Sequence, residues 1–299
     1  KRSSPSIPVL IMTAFGSIES AVEVMKYGAF DYITKPFAND ELLLSVHNAV
    51  ELSRAHQQYR ILQESLEERY STHQIIGKSP AMRETLSIVD RVSASRSTVL
   101  ITGESGTGKE LVANAIWRYS PRSRRPFSVI NCVAIPDTLL ESELFGYYGG
   151  AFTGANKKGK KGYFELAHGG TIFLDEVNEL SQSAQTKILK FLEDRTFIPI
   201  GSEESVSVDV RVICATNGRL RQLMEQGAFR KDLYYRLSVF EFIIPPLRER
   251  PEDIAPIASK FVAEFNRVHQ HNFRLTPALI RRLRDHDYPG NVRQLRNVI

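Results

Sequence analysis

Cysteine is scarce. Cys132 and Cys214 are the only two in 299 residues, and neither sits in a C-x-x-C pair or a Cys/His cluster. The sequence therefore offers neither a disulfide framework nor a structural zinc site. No apolar run approaches the roughly 18 residues that span a bilayer, and the N-terminus lacks the apolar core of a signal peptide. Nothing in the sequence points to membrane or export. A strong charge bias is missing too: 39 Lys and Arg against 34 Asp and Glu leave a net +5, a hint of an anionic partner and no more. The basic runs Arg122–Arg125, Lys157–Lys161 and Arg281–Arg282 are short and read as solvated faces. With 42% hydrophobic and 24% charged residues, collagen-like, low-complexity and wholly disordered chains are excluded. The length fits about two domains at one per roughly 100–200 residues. A reduced, cytoplasmic enzyme or regulator fits this composition.

The chain reads as opening inside a domain. A polar stub precedes an apolar strand, Ile7 to Met12, and a second strand runs from Ala29 to Thr34, with an amphipathic stretch between them. Asn39-Asp40 then caps a helix from Glu41. Two parallel strands cannot cover both faces of a sheet, so residues 1–48 are expected to be the C-terminal part of a larger domain. Residues 49–72 read as a polar linker helix. Its Leu52, Ala55, Tyr59, Leu62 and Leu66 alternate by three and four, compatible with a coiled coil or a solvated connector. Gly77 to Pro80 marks a boundary, and residues 73–244 alternate strands with helices, the pattern of an α/β sheet. Candidate strands are Thr98–Thr102, Phe127–Asn131, Thr171–Leu174, Val210–Ala215 and Phe240–Ile243. Residues 245–299 read as helices only: Ile254–His269, Pro277–His286 and a segment from Asn291, a small helical lid.

Gly103-Glu104-Ser105-Gly106-Thr107-Gly108-Lys109 follows the first of these strands and opens a helix at Glu110. Glycines in that context let backbone N–H groups turn toward phosphate oxygens at a helix start, and Lys109 adds a point charge. Glu110 stands where the general pattern has a Ser or Thr hydroxyl for Mg²⁺, so independent support is needed. It comes from Thr171 to Glu176, an apolar strand ending in two carboxylates. Asp175 is placed to hold Mg²⁺ and Glu176 to polarise an attacking water. Asn131 and Asn217 end two more strands, where ligands bind in open α/β sheets.

Between these motifs lies Gly150-Ala151-Phe152-Thr153-Gly154-Ala155, one aromatic ring among small residues. The segment resembles the GAFTGA signature of the sigma-54-dependent transcriptional activators, the NtrC-like bacterial enhancer-binding proteins of the AAA+ class. The resemblance covers nearly the whole chain. GESGTGKE over Gly103–Glu110 is similar to the family's own form of the phosphate loop, so Glu110 is a family trait. Glu143–Gly146 and Gly169–Glu176 resemble the segments leading into the GAFTGA loop and the acidic strand end. By resemblance, Asn131 holds the catalytic glutamate until nucleotide is sensed, Asn217 is the first sensor, and Arg230 and Arg236 are fingers acting on a neighbouring subunit. Arg293, in Pro289–Arg293, is the second sensor and touches nucleotide. Thr13 and Lys35 resemble the switch threonine and the lysine of a response-regulator receiver, whose phosphoryl-accepting aspartate and acidic pocket are not in this sequence. Three positions depart from the pattern: Tyr148 for a common glutamate, Lys231 for a common acidic residue, and Tyr288 for a tryptophan.

The resemblance implies a P-loop ATPase with a helical lid behind a truncated doubly wound receiver fragment. It implies ATP and Mg²⁺ as cofactors, self-association from dimer to hexameric ring, and sigma-54 RNA polymerase as partner through Gly150–Ala155. A sensor histidine kinase and enhancer DNA would be met only through parts missing from this sequence, which lacks the family's helix-turn-helix. Two rivals stand beside this reading: a generic AAA+ remodeller independent of sigma-54, and a regulator that binds nucleotide without hydrolysing it.

Overall fold

In a computed structural model, residues 8–14, 25–69, 75–151 and 159–299 are described, residues 55–69 by their backbone alone. The chain forms two compact units, Lys1–Ser71 and Thr72–Ile299. In the first, β1 (Leu10–Thr13) and β2 (Asp31–Thr34) pair in parallel, Thr13 opposite Thr34, and α1 runs unbroken over Asn39–Arg69. The expected receiver helix and linker helix are thus one element, because no Pro or Gly interrupts the 31 residues. Most of the alternating Leu/Tyr seam lies outside the residues whose side chains are described. No described helix is long and apolar enough to cross a membrane.

The second unit is built on α2 (Pro80–Ser93), β3 (Val99–Thr102), α3 (Lys109–Arg118), β4 (Phe127–Asn131), α4 (Asp137–Phe145), β5 (Gly146–Tyr147), β6 (Lys160–Lys161) and α5 (Tyr163–Leu166). It continues through β7 (Thr171–Asp175), α6 (Gln182–Asp194), β8 (Thr196–Phe197), β9 (Val206–Ser207), β10 (Arg211–Thr216), α7 (Leu220–Glu225), α8 (Lys231–Leu237) and β11 (Phe240–Ile243). The lid comprises α9 (Pro251–His269), α10 (Pro277–Arg284) and α11 (Asn291–Val298). The main sheet is entirely parallel, in the order β11-β3-β10-β7-β4. Each expected strand is there within a residue or two of its ends.

Strand side chains alternate between faces, and the buried residues divide accordingly. Leu100, Ile172, Leu174, Val212 and Cys214 pack with Phe145, Phe164, Phe191 and Leu233 on one face. Val99, Ile101, Phe173, Ile213 and Ala215 pack with Met82, Val89 and Ile116 on the other. Both faces are covered, so the strands read as nearly continuous apolar runs. A separate lid core gathers Leu247, Ile254, Ile257, Leu283, Leu295 and Tyr288. Tyr288 therefore serves as the large buried ring where the family pattern has tryptophan, and burial pushes its phenol up from the usual range.

The lid is fastened to the start of the core by Asp253. Fully buried, its carboxylate accepts from the N–H groups of Lys78 and Ser79 at 2.6 and 2.9 Å and from Ser79 Oγ at 2.7 Å. Ser79 in turn caps α2, its Oγ accepting from the Met82 N–H at 3.3 Å. Each hydrogen bond to a buried charge of this kind contributes about 1.5–3 kcal/mol.

Candidate nucleotide site

The parallel register brings the strand ends into one row. Thr102 lies opposite Thr216, Leu174 opposite Cys214, and Asn131 opposite Asp175. The Gly-rich loop after β3 and the carboxylates after β7 are separated only by β10, whose own end leads to Asn217. This is the edge at which ligands sit in open α/β sheets.

The loop turns on Gly106 (φ +79°) and Gly108 (φ +103°), backbone conformations that L side chains resist. Gly108 precedes α3 without a capping side chain, so the first-turn N–H groups of α3 are available to an anion. Lys109 is buried, with Nζ donating to the carbonyls of Gly103 (2.9 Å) and Glu104 (3.3 Å) and lying 3.6 Å from Glu176 Oε1. The ammonium thus bridges the loop and the end of β7. Glu110 points to an exposed position.

Asp175 ends β7, and Glu176 follows in a strained conformation. Glu176 adopts φ 54°, ψ 53°, a left-handed conformation costing about 1–2 kcal/mol in a residue with a Cβ. Its N–H donates to Asp175 Oδ1 at 3.0 Å. Burial pushes both carboxyls up from their ordinary range, and Lys109 pulls against that rise. Two buried oxygens, Glu176 Oε2 and Asn217 Oδ1, have no hydrogen-bond partner among the described residues. Both are acceptors, so a donor or a cation completes them. Asp175 beside such atoms fits a hydrated Mg²⁺ and an ordered water. Asn131 Oδ1 instead accepts from the Val133 N–H at 3.0 Å, and among the described residues Asn131 makes no hydrogen bond to Glu176.

The lid grips the loop from outside. Glu104 accepts two hydrogen bonds from Arg248 (2.8 and 2.6 Å) and one from Asn291 Nδ2 (3.1 Å), which hold its carboxyl down at about 2. Asn291 Nδ2 also donates to the Ser105 carbonyl, while its Oδ1 accepts from the Leu247 N–H. Arg250 donates to the Thr107 carbonyl at 3.0 Å, and the Val292 N–H donates to the Gly106 carbonyl at 3.0 Å. Arg293 donates to Ser105 Oγ at 3.2 Å, and its charge favours ionised Asp175. A Cβ on Gly106 would collide with the Gly290 carbonyl, so glycine there also permits the lid's close approach.

Arg230 and Arg236 take no part in this cluster. Arg230 is bound bidentately by Asp232 at 3.0 and 2.7 Å, and Arg236 lies 3.9 Å from Glu193. The Arg230 side chain is 40% exposed and that of Arg236 57%. Of the GAFTGA residues, Gly150 and Ala151 are described, while Phe152, Thr153, Gly154 and Ala155 lie outside the described residues. The loop rises from the antiparallel pair β5–β6, and its base is braced by the Tyr148 N–H donating to the Ile200 carbonyl at 3.0 Å. In the first unit, Thr13 and Lys35 meet at adjacent strand ends, the Lys35 N–H donating to the Thr13 carbonyl at 2.7 Å. Arg248, Arg250 and Asn291 were not candidates from the sequence. Their partners stand more than 140 positions away, so nothing local in the sequence marks the pairing.

The sheet order, the glycine-rich loop, the paired carboxylates and the appended lid define an AAA+ P-loop ATPase. The chain belongs to the sigma-54 interaction domain family, whose profile matches residues 75–243; an AAA+ ATPase lid domain matches 248–299 and a response regulator receiver domain 1–47. It is 44% identical over 293 residues to the regulatory protein AtoC of Escherichia coli, covering 98% of this chain and 63% of that protein. It is 46% identical over 301 residues to the DNA-binding transcriptional regulator NtrC of the same species, covering 99% and 62%. The crystal structure of NtrX from Brucella abortus superposes with a TM-score of 0.81 at 36% identity, covering 100% of this chain and 65% of that one. A second NtrX structure, in complex with ATP, gives 0.73, covering 99% and 63%. The chain thus spans less than two thirds of the length of these relatives.

The raised carboxyls set a pH dependence. Protonation removes a base, and both groups hold their protons to higher pH than their ordinary values of 3.8 and 4.5. The acid limb of kcat/KM for ATP, which reports free-enzyme ionisations, is therefore expected above pH 4.5. A limb at or below that value, with the fold intact by circular dichroism, would remove Glu176 as the base.

Proposed function

We propose that this chain is the ATP-hydrolysing core of a sigma-54-dependent response regulator, which remodels the closed promoter complex through its GAFTGA loop. The observation that carries hydrolysis is the junction of Lys109 with Glu176 at 3.6 Å, beside buried acceptor atoms that call for a donor or a cation. Lys109 and the loop N–H groups bind the β- and γ-phosphates. Asp175 holds Mg²⁺, which when bound neutralises charge on the phosphates. Glu176 orients a water toward the γ-phosphorus and takes its proton as the bond to ADP breaks. Asn217, Asn131 and Arg293 read the nucleotide's state.

The outward placement of Arg230 and Arg236 supports a role in trans. Each would reach the γ-phosphate held by a neighbouring subunit, so the site of a lone subunit is incomplete. A finger of this kind is worth about 10³–10⁵ in rate. Hydrolysis and assembly from dimer to hexameric ring would then be a single property. Phe152 and Thr153 make the contact with sigma-54. The setting is cytoplasmic, with a sensor histidine kinase and enhancer DNA engaging other parts of the full-length regulator.

Glu176→Gln is expected to bind ATP with near-normal affinity and lose turnover by at least about 100-fold, a loss typical of removing a general base. Near-normal hydrolysis in a phosphate-release assay would exclude Glu176 as the base. Thr153→Ala should keep ATPase activity and fail to bind sigma-54 in pull-down. An unchanged complex would take that loop out of the mechanism and favour the generic remodeller.

A further inference from the structure

Gln185 is a fully buried amide on α6 that the mechanism above leaves unused. Its Nε2 donates to the Leu180 carbonyl at 2.8 Å and to the Ala228 carbonyl at 3.1 Å, and its Oε1 accepts from the Arg230 N–H at 2.9 Å. Both donor hydrogens are committed, and so is one oxygen lone pair. These partners come from two different places. Leu180 closes the short 3-10 turn Val177–Glu179, which leaves Asp175–Glu176 directly. That turn is itself pinned: the Glu179 N–H donates to the Glu176 carbonyl at 3.1 Å, and Thr216 Oγ1 donates to Asn178 Oδ1 at 3.0 Å. Ala228 and Arg230 belong to the segment that delivers the exposed Arg230 guanidinium.

One buried side chain therefore ties the exit from the hydrolytic carboxylates to the backbone of the arginine. One turn earlier, Gln182 Nε2 holds the same segment through the carbonyls of Gly227 (3.3 Å) and Ala228 (2.8 Å). The guanidinium is held separately, by Asp232. Gln185 thus governs where Arg230 starts from, and Asp232 where its side chain rests.

We propose that Gln185 is a positioning residue that couples a subunit's own nucleotide site to the placement of its Arg230 in the neighbouring site. The proposal rests on the trans role given to Arg230 above. A backbone shift at Glu176 on nucleotide binding would move the 3-10 turn, and through Gln185 the backbone from which Arg230 reaches across. Displacing a reacting or stabilising group by about 1 Å can cost about 100-fold in rate.

The test mixes subunits of the chain. Gln185→Met keeps the volume and removes all three hydrogen bonds. Alone, it is expected to lose at least about tenfold in kcat with KM for ATP changed less than about twofold, as for a group acting on the transition state. Glu176→Gln subunits turn over at least about 100-fold more slowly, are isosteric at that position so that the 3-10 turn is left in place, and carry an intact Arg230 and Gln185. Mixed with an excess of them, the Gln185→Met subunits should regain turnover per competent site, because their neighbours now supply correctly placed arginines. Arg230→Ala subunits mixed in the same way calibrate the recovery. Recovery of Arg230→Ala without recovery of Gln185→Met would overturn the proposal, because Gln185 would then serve its own site or the fold. Recovery of neither would overturn the trans role of Arg230, and the proposal with it. Should Gln185→Met melt at a much lower temperature, Gln185→Asn replaces it. That variant keeps the amide but is a methylene too short to reach both segments, and the same outcomes decide.

Discussion

The phosphate-binding loop is held from two sides at once, and most of the second unit is arranged around that fact. From within, Lys109 binds the carbonyls of Gly103 and Glu104 and faces Glu176. From without, the lid takes Glu104, Ser105, Gly106 and Thr107 through Arg248, Asn291, Val292 and Arg250. A loop with two left-handed glycines has little conformational preference of its own, so these contacts define its shape. Lid and loop are thus joined at four consecutive loop residues. Arg248 and Glu104 are partly exposed, so their pairing works as a geometric fork more than as a source of stability.

The sheet order divides the work. By inserting β10 between the loop strand and the carboxylate strand, the fold sets the loop and Asp175–Glu176 along one sheet edge, with Lys109 Nζ 3.6 Å from Glu176 Oε1. Glu176 stores backbone strain at the point where chemistry is expected. The arginines lie on α8 and at its start, away from this cluster, as the proposed role in trans requires. The GAFTGA loop rises from β5–β6, directly after α4, whose Leu140, Leu144 and Phe145 lie in the same core as Leu174 and Val177. Movement at the end of β7 is thus connected by packed side chains to the base of the loop.

Much of this was legible in the sequence, for physical reasons. Parallel strands buried on both faces leave apolar runs, as in Thr171–Asp175 and Arg211–Thr216, and the more exposed edge strands Phe127–Asn131 and Phe240–Ile243 could still be read to the residue. The phosphate loop and the acidic strand end announce themselves by local chemistry. Long-range pairing does not. Nothing local in the sequence pairs Glu104 with Arg248 and Asn291, or Gln185 with the backbone of Arg230. The antiparallel pairs β5–β6 and β8–β9 are two residues per strand, below the length at which alternation carries a signal. The single helix over Asn39–Arg69 was divided in reading because composition changes midway while the backbone does not.

In the proposed function, nucleotide state at the Lys109–Glu176 junction controls engagement of sigma-54 by the loop after β5. The most direct test is size-exclusion chromatography of the chain with purified sigma-54, with ADP and aluminium fluoride and without nucleotide. The account predicts a stable complex only with the transition-state mimic, eluting as an assembly larger than a dimer. Robust ATP turnover with no such complex, or a complex indifferent to nucleotide, would contradict it.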